Sequence, residues 1–328
     1  MKILIMNHEQ VRAAMPMATC MEVMSEALEA LSGGRFHLPL RMIVRPPTAE
    51  GMMGLMPSYR AGERAGYALK AICVFPNNPK IGKDSHQGAV LLSSAATGEL
   101  LAVINASAVT AIRTAAVSAV ATRALARKDA CELAVIGTGV QGRAHVAAIA
   151  EARKVRRVRL ADSDPARARY AAAELAAAYP FPVEAAANAE AAVRNADIIV
   201  TVTTSSEPVL RREWVSEGAH INAVGACLPH AREIDSATVA ASRLFVDRRE
   251  SVLNESGDYL IALKEGAIGP EHILGEIGEV LTGQVQGRSA DAEITLFKSL
   301  GLAIEDLSAA DYLYRRAKET GSGTWLQF

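Results

Sequence analysis

Two kinds of residue in this chain have types and spacings suited to chemistry: isolated cations in apolar stretches, and three closely spaced glycines. In YALKAICVF, period-two alternation puts Lys70 on one strand face with apolar neighbours, and a lysine there is costly to bury unless an anion pairs with it. In TAIRTAAVSAVA, Arg113 is the only charge, and its planar guanidinium suits a carboxylate or phosphate. Arg41 is a weaker candidate because Arg45 lies nearby. The pattern leaves open whether these side chains reach solvent or hold an anion.

The glycines Gly137, Gly139 and Gly142 form a GxGxxG motif between an apolar, β-prone run and an Ala-rich helical pattern. The first permits a tight turn, the second lets the backbone approach a pyrophosphate, and the third lets the helix pack closely on the strand. The free N–H groups of a helix starting near Val140 would face the phosphates. The segment therefore predicts a dinucleotide site, although an ordinary strand-to-helix turn remains the alternative.

Asp162 bears on which dinucleotide is bound. It ends the next strand, VRRVRLA, and lies 25 residues after Gly137, where an acid can accept a hydrogen bond from a ribose 2′-hydroxyl. Its charge would repel a 2′-phosphate, and Ser163 and Asp164 supply no compensating arginine; Arg167 comes later. We therefore expect NAD(H), with NADP(H) left open.

Length, charge and composition limit the class of protein. The 328 residues indicate about two domains, and 50% hydrophobic residues can form a sizeable core. A net charge of −1 argues against nucleic-acid binding. No apolar stretch looks long and uninterrupted enough to span a membrane, and the N-terminal apolar run is too short for a signal peptide. Four scattered cysteines without metal-site spacing indicate reduced thiols, no metal site and a cytoplasmic location.

The hydrophobic pattern predicts an α/β protein with two sheets. Short alternating runs in residues 38–104 indicate a mostly antiparallel sheet, and a long helix should follow from about Ser107 to Ala126. From Cys131 to about Asp247, six continuous apolar strands alternate with helical segments, as in a doubly wound parallel Rossmann sheet. The tail ITLFKSLGLAIEDLSAADYLYRRAKE begins like a strand and continues as a helix.

The whole chain resembles one family. Its segments LRMIVR, GLMPSY, ALKAICVFPNNP, SHQGAVLL, TAIRTAAVSAVATRALAR, VIGTGVQG, INAVGACLP and ITLFKSLGLAIEDLSAADYLY are similar to those of the ornithine cyclodeaminase/mu-crystallin family. The resemblance implies a homodimer in which residues 1–115 with 303–328 form an α+β substrate-binding and dimerisation domain. Residues 116–302 would then form the Rossmann NAD(P)-binding domain. Activities in the family include cyclodeamination of ornithine and lysine, alanine dehydrogenation and ketimine reduction, and mu-crystallin also binds ligands.

The resemblance assigns roles to individual positions. Arg41, Lys70 and Arg113 match the cations that hold the substrate carboxylate, with Lys70 and Arg113 also catalytic, and Met56 matches a residue lining the substrate pocket. The positions that match cofactor contacts are Gln87, Arg113, Gly137, Thr138, Gly139, Val140, Gln141, Gly142, Asp162, Thr203, Val224 and Asp291.

Two departures from the cyclodeaminases argue against that activity. Those enzymes have an aspartate at the position of Cys227 and a glutamate at that of Gly54. Ring closure needs an anion to hold the distant ammonium and a base to free the amine, and a thiol with a pKa near 8.5 replaces neither well. Cys227 has no adjacent base that would make it a nucleophile, so a small packing residue is the simpler interpretation.

The remaining residues favour an NAD(P)H-dependent reductase of small imino acids, cyclic or linear. The cations would fix the carboxylate and so orient the neighbouring C=N carbon for hydride from the nicotinamide. Lys70 would act mainly as a carboxylate partner or else as proton donor, the other donors being His86, His230 or water. A cyclodeaminase that uses NAD catalytically, and a non-catalytic mu-crystallin-like binder, remain the alternatives.

Overall fold

The computed structural model describes residues 2–328, which divide into two compact units. Unit 1 comprises the chain up to Thr114 together with Gly301–Phe328, and unit 2 is Ala115–Leu300. The boundaries expected from the sequence, 115/116 and 302/303, lie next to these.

Unit 1 begins with a curved set of strands and two N-terminal helices. The elements are β1 (Lys2–Met6), α1 (His8–Ala14), α2 (Met17–Ser32), β2 (Phe36–His37), β3 (Met42–Val44), β4 (Met52–Arg60), β5 (Gly66–Val74), β6 (His86–Ser94), β7 (Leu100–Asn105) and α3 (Ala106–Leu125). The boundary between the units falls within α3. Helix α2 ends at Ser32, directly before Gly33.

Helix α3 is apolar on all sides because it lies in the interior. It is long and apolar enough to cross a membrane, contrary to the expectation from the sequence, but 72% of the qualifying window is buried within the protein. Arg113 interrupts this apolar helix and is itself only 4% exposed. A buried core helix has the same composition as a membrane span.

Unit 2 is an α/β unit whose strands all run parallel. Its elements are β8 (Glu132–Ile136), α4 (Val140–Ala152), β9 (Arg157–Ala161), α5 (Pro165–Ala178), β10 (Val183–Ala185), α6 (Ala189–Val193), β11 (Ile198–Thr201), β12 (His220–Ala223), α7 (Ser236–Ala240), β13 (Ser242–Val246), α8 (Arg249–Glu255), α9 (Gly257–Lys264), β14 (Ile273–Glu276), α10 (Ile277–Leu281) and β15 (Ile294–Lys298). The strand order is β10-β9-β8-β11-β12-β15-β13-β14.

The order of strands in unit 2 reverses between β8 and β11, which is the point where ligands bind in open α/β sheets. The predicted parallel sheet is therefore confirmed, with two additions. Strand β14 was not expected from the sequence. Strand β15, which the sequence places at the head of the tail, inserts between β12 and β13.

The chain returns to unit 1 as α11 (Ala303–Thr320) and β16 (Thr324–Gln327). The sheet of unit 1 has the order β16-β1-β7-β6-β5-β4-β2, with β3 paired to β4. Its pairs are antiparallel except β1 with β7, which confirms the mostly antiparallel sheet. Strands β1 and β16 were not expected.

Alternation along β5 decides which side chains of unit 1 are buried. Ala68, Lys70 and Ile72 point to one face, which α11 covers, and are buried. In the register of the sheet, Met56 of β4 and Val90 of β6 lie beside Lys70 on that face, and both are buried. The sequence thus predicts the orientation of Lys70 correctly, and the helix over it explains its burial.

Candidate active site

Lys70 lies at the centre of β5, where it is only 2% exposed, and its charge is met by an acid of α11. Its Nζ donates to Oδ1 of Asp306 at 3.1 Å and lies 2.9 Å from Oδ2 of the same carboxylate. The hydroxyl of Thr110, on α3, accepts a third contact at 3.4 Å. Lys70 thus neither reaches solvent nor depends on a ligand for its counter-ion, because a carboxylate of the protein supplies it.

Arg113 reaches the same acids from α3. Its Nη1 donates to Oε2 of Glu305 at 2.6 Å, and its Nε to Oδ1 of Asp306 at 3.3 Å. Both acids are fully buried. The guanidinium is thus held by two acids of α11. Although burial lowers the pKa of Arg113, the two carboxylates raise it further, so the guanidinium stays charged.

Arg41 joins this group through the backbone that leads into α11. Its Nη2 donates to the carbonyl of Gly301 at 3.0 Å. Gly301 has a φ of +79°, and a Cβ there would collide with the Arg113 guanidinium. We call Arg41, Lys70, Arg113, Glu305 and Asp306 the cation cluster.

The two acids of the cation cluster are the functional residues that sequence reasoning missed. Glu305 and Asp306 are adjacent, in a stretch (GLAIEDLSAA) that is otherwise apolar or small. Such a pair within a buried helical face is itself a signal, because carboxylates are rarely buried without cations. The sequence analysis considered only an anion brought by a ligand.

Burial and charge set the protonation of Lys70. Desolvation, followed by the charge of Arg113, lowers its pKa from 10.5 to about 8, while Asp306 opposes that change. The cluster contains three cations and two acids, so with Lys70 protonated one positive charge is left unmatched. The cluster can therefore bind one carboxylate.

His86 is the histidine that lies near this charge. It stands opposite Val74 in the register, and its Nδ1 lies 3.0 Å from the hydroxyl of Ser85. Burial lowers its pKa, and the charges of Lys70 and Arg113 lower it further. Neighbouring Gln87 is exposed and donates its amide to the carbonyl of Asp84, so its predicted nicotinamide contact stays a prediction.

Met56 and Gly54, which the sequence singles out in unit 1, both lie on β4, the strand paired with β5. Met56 is opposite Lys70 and is 7% exposed, whereas Gly54 is opposite Ile72 in the adjacent row. The nearest atoms to a Cβ at Gly54 would be side-chain carbons of Ile72 and Ile43. The surroundings of Gly54 are therefore apolar, and no carboxylate stands there.

In unit 2, the glycine motif has the geometry that the sequence predicts. Gly137 follows β8 with a φ of +102°, and a Cβ there would lie 2.7 Å from the carbonyl oxygen of Val202. A Cβ at Gly142 would collide with the carbonyl of Gly137, so the glycine allows α4 to pack closely. At Gly139, by contrast, the nearest atom is 4.0 Å away. The protein itself does not require glycine there, which fits a backbone approached by a bound phosphate.

Thr138, Val140 and Gln141 complete this turn. Val140 begins α4 and is 55% exposed, so the amino end of the helix is accessible to an anion. Thr138 is buried, and both its amide and its hydroxyl donate to Oδ2 of Asp162, at 2.9 and 2.7 Å. Gln141 accepts a contact from His145 through its carbonyl.

Asp162 therefore connects two strands as well as facing the predicted ribose position. Its Oδ1 also accepts from the amide of Asp164 at 3.1 Å. Burial raises the pKa of Asp162, but the hydrogen bonds from Thr138 and Asp164 outweigh this and lower it. The carboxylate is ionised at neutral pH, and it has further lone pairs for a hydroxyl donor.

Thr203 and Val224 follow β11 and β12 at the carboxyl edge of the sheet, as predicted. Buried Glu233 holds this edge in place: its carboxylate accepts from the amides of Thr203 at 2.6 Å and Gly225 at 2.7 Å. Ser299, which follows β15 at the same edge, is 1% exposed, and its hydroxyl has no hydrogen-bond partner within the described residues. The carboxyl end of β15 was not predicted to join those of β11 and β12, because the sequence pattern places β15 in the tail.

Cys227 and His230 lie in the loop after β12. The thiol of Cys227 contacts the carbonyls of Val224 at 3.5 Å and Leu300 at 3.9 Å, as a packed residue does. His230 is exposed.

The cofactor contact predicted for Asp291 stays a prediction. Asp291 precedes β15, and its carbonyl lies near Gly218, which precedes β12. Since all strands of this sheet are parallel, these residues lie at its amino edge, opposite the glycine motif. Asp291 is exposed, and its carbonyl accepts from Arg288. No group of three or more His, Cys, Asp or Glu residues suited to a metal ion is present in residues 2–328.

A parallel sheet with a glycine-rich turn at its switch point, joined to a second α+β unit with a buried cation cluster, defines a Rossmann-type dinucleotide-binding protein. The chain belongs to the ornithine cyclodeaminase/mu-crystallin family, whose model matches residues 1–321.

The similar proteins include reductases of C=N bonds. A Δ1-pyrroline-2-carboxylate reductase of Bacillus cereus is 37% identical over 327 residues, which cover 99% of this chain and 100% of that protein. The solved structure of Thermococcus litoralis Δ1-pyrroline-2-carboxylate reductase in complex with NADH and L-proline is 38% identical, with a TM-score of 0.95, and covers 98% of this chain and 99% of that one. An archaeal alanine dehydrogenase dimer with bound NAD is 31% identical, with a TM-score of 0.93, and covers 100% of both chains.

Proposed function

We propose that this protein is an NAD(H)-dependent imine reductase that converts a small imino acid, such as Δ1-pyrroline-2-carboxylate, to the amino acid. The single observation that carries the proposal is the cation cluster. It places the half-buried Arg41 beside the buried Lys70 and Arg113, and the two acids leave one of these three positive charges unmatched, as binding of one carboxylate requires. The activities named for the similar proteins support the same reaction class.

The residues of unit 1 bind and orient the acid. Lys70 and Arg113 present their charges to the acid from β5 and α3, and Asp306 and Glu305 hold them in place. Two charged donors fixed by burial hold a carboxylate with little loss of freedom on binding. The C=N carbon beside the carboxylate is thereby held in one orientation, which is the main contribution that positioning can make.

Reduction adds a hydride to the imine carbon and a proton to its nitrogen. Reduced nicotinamide, when bound, supplies the hydride. Lys70 serves mainly as a carboxylate partner. It is also the nearest candidate proton donor, because a pKa of about 8 lets it give up a proton near neutral pH. His86 is the second candidate donor.

The glycine turn and Asp162 of unit 2 favour NADH over NADPH. The ionised carboxylate of Asp162 can accept from a ribose 2′-hydroxyl and would repel a 2′-phosphate. Arg167 is the nearby cation, since its guanidinium approaches Gly139. It would attract a phosphate, so we expect NADPH to be used less well rather than excluded.

The test is a substrate panel with each reduced cofactor. We expect NADH oxidation with Δ1-pyrroline-2-carboxylate, slower oxidation with NADPH, and no ammonia release from ornithine. Lys70→Met should abolish turnover and keep NADH binding, measured by nucleotide fluorescence. Ammonia release from ornithine without net NADH formation would instead identify a cyclodeaminase. Tight NADH binding without oxidation by any imine would identify a binder.

We further propose that the protein is a homodimer through the face of the unit 1 sheet opposite to Lys70. This face contains an open groove of about 530 Å³ lined by Pro57, Tyr59, Tyr67, Leu69 and Leu91, among others. Tyr67 is 51% exposed and packs against Tyr59 in a tilted arrangement, with ring centroids 4.7 Å apart. An exposed apolar face of this kind is suited to association with a second copy.

The four free cysteines support a cytoplasmic location.

A further inference from the structure

We propose that Asp306 is a positioning residue of the active site, which aims the Lys70 ammonium and the Arg113 guanidinium at one bound carboxylate. The inference deepens the proposed imine reductase function and rests on it. Nothing in the sequence analysis assigned a role to this residue.

Asp306 contacts both Lys70 and Arg113. One of its oxygens, Oδ1, lies 3.1 Å from Lys70 Nζ and 3.3 Å from Arg113 Nε. The other, Oδ2, lies 2.9 Å from Lys70 Nζ. A single carboxylate therefore fixes the relative position of the two donors that come from β5 and α3.

Glu305 is engaged differently. One of its oxygens accepts from the backbone amide of Leu302 at 3.1 Å, at the start of α11, and the other accepts from Arg113. Its side chain thus joins the start of α11 to Arg113. Loss of Glu305 would disturb the helix start, whereas Asp306 has only side-chain partners among its contacts and can be altered more selectively.

Burial makes Asp306 effective. Asp306 is 0% exposed and Lys70 is 2% exposed, so water can replace neither partner. Removing one member of a buried ion pair leaves the other charge uncompensated. Without the carboxylate, Lys70 would lie beside Arg113 and Arg41 alone, and it would be driven toward its neutral form.

The charged and titratable groups around Lys70 are few enough to predict the pH response. The groups that act on its pKa are Arg41 from the segment before β3, Arg113 from α3 and Asp306 from α11, and His86 of β6 in turn responds to Lys70. Near Arg113 lie Glu305 and the buried thiol of Cys20, whose pKa is raised. Because Asp306 is the acid that raises the pKa of Lys70, its removal must lower that pKa below about 8.

The experiment compares Asp306→Asn with the wild-type protein in kcat/KM for the imino acid from pH 6 to 10. We expect a decrease of about 10- to 100-fold, the usual effect of removing a group that orients a reacting residue. The decrease should come mostly from KM, and the alkaline limb of the profile should move to lower pH. NADH affinity should stay within about twofold, because the cofactor motif lies in unit 2.

Two variants serve as controls. Asp306→Glu keeps the negative charge. Compared with Asp306→Asn, it should restore part of the activity and return the alkaline limb of the pH profile toward its wild-type position. Asp311→Asn removes an acid from the same helix that pairs with Arg60 and Arg315, and should leave kcat/KM and its pH profile unchanged.

Unchanged kcat/KM and pH profile in Asp306→Asn would overturn the inference. The inference would also be overturned if the loss of activity matched the loss of folded protein, judged from Tm and NADH binding, while the pH profile of the folded fraction stayed unchanged. Failure of the wild-type protein to reduce any imine, or to bind the product amino acid by calorimetry, would instead overturn the proposed function.

Discussion

Asp162 shows how one side chain can serve both the local turn and the choice of ligand. Its carboxylate ties the turn after β8 to the end of β9 through Thr138. The same ionised group faces the position predicted for the ribose. A substitution there therefore changes recognition and local stability together, and the two effects have to be separated by measurement.

Asp162→Ser is predicted to change cofactor preference. The ratio of kcat/KM for NADH to that for NADPH should decrease by about 10- to 100-fold, since a hydrogen bond to a charged group contributes about 1.5–3 kcal/mol. Asp164→Ser removes the neighbouring acid, keeps a good cap for α5 and should leave the ratio unchanged. An unaltered ratio in Asp162→Ser would show that this carboxylate does not select the cofactor.

The sequence predicts single residues well where a rule links type to position. Gly137 and Gly142 are required by backbone geometry, and the burial of Lys70 follows from strand alternation. The partners of Lys70 could not be predicted, because Asp306 is 236 residues away and only packing of α11 brings the two together. The edge of the sheet at which Asp291 lies could not be predicted, because similarity of position carries no information about which edge a loop occupies.

At the scale of elements, α3 and α4 are joined by a buried histidine. His145 donates from Nδ1 to the carbonyl of Gln141, because a carbonyl can only accept, and its Nε2 accepts from the hydroxyl of Ser118 at 2.9 Å. This arrangement requires the neutral ring. Burial lowers the pKa of His145 from 6.5 to about 4.

This histidine predicts that unit 2 loses stability in mild acid. Below pH 6.5 the unfolded chain binds a proton that the folded protein does not bind until about pH 4, so the free energy of unfolding should decrease across that window. The contribution is at most about 3 kcal/mol, at about 1.4 kcal/mol for each pH unit. Urea unfolding at pH 7 and pH 5 should show a smaller decrease in His145→Gln than in the wild-type protein.

An equal decrease in both proteins would assign the acid response to other groups. The first of these to examine is His220, which is also buried and whose pKa is lowered to about 3. The exposed His230 offers a matched control, and His230→Gln should retain the wild-type decrease.

Elements with a strong local pattern were predicted, and those defined by distant pairing were not. Helix α3 and the strand before the glycine motif lie where periodicity indicates. Strands β1 and β16 are short and depend on each other, and their pairing joins the two ends of the described chain. The place of β15 between β12 and β13 depends on packing of the whole sheet, which a local pattern cannot reveal.

At the scale of the whole molecule, the proposed dimer predicts a concentration-dependent mass. Sedimentation should give about twice 34.7 kDa for the wild-type protein. Tyr67→Asp, which places a charge in the apolar groove, should shift the protein toward the monomer, because burying an unpaired charge is unfavourable. Tyr170→Asp alters a tyrosine of unit 2 that is 69% exposed and should not change the mass. A wild-type monomer at all concentrations would contradict the proposed interface.

The division of unit 1 into two separated stretches has a consequence for biosynthesis. Unit 2 is one continuous segment, so it can fold on the ribosome as soon as it has emerged. The first part of unit 1 is synthesised before unit 2 and cannot be completed until unit 2 has been translated. During that time Lys70 and Arg113 lack their partners Glu305 and Asp306, which belong to Gly301–Phe328. A nascent chain stalled before α11 would thus expose β5 and its neighbouring strands and become a substrate for chaperones.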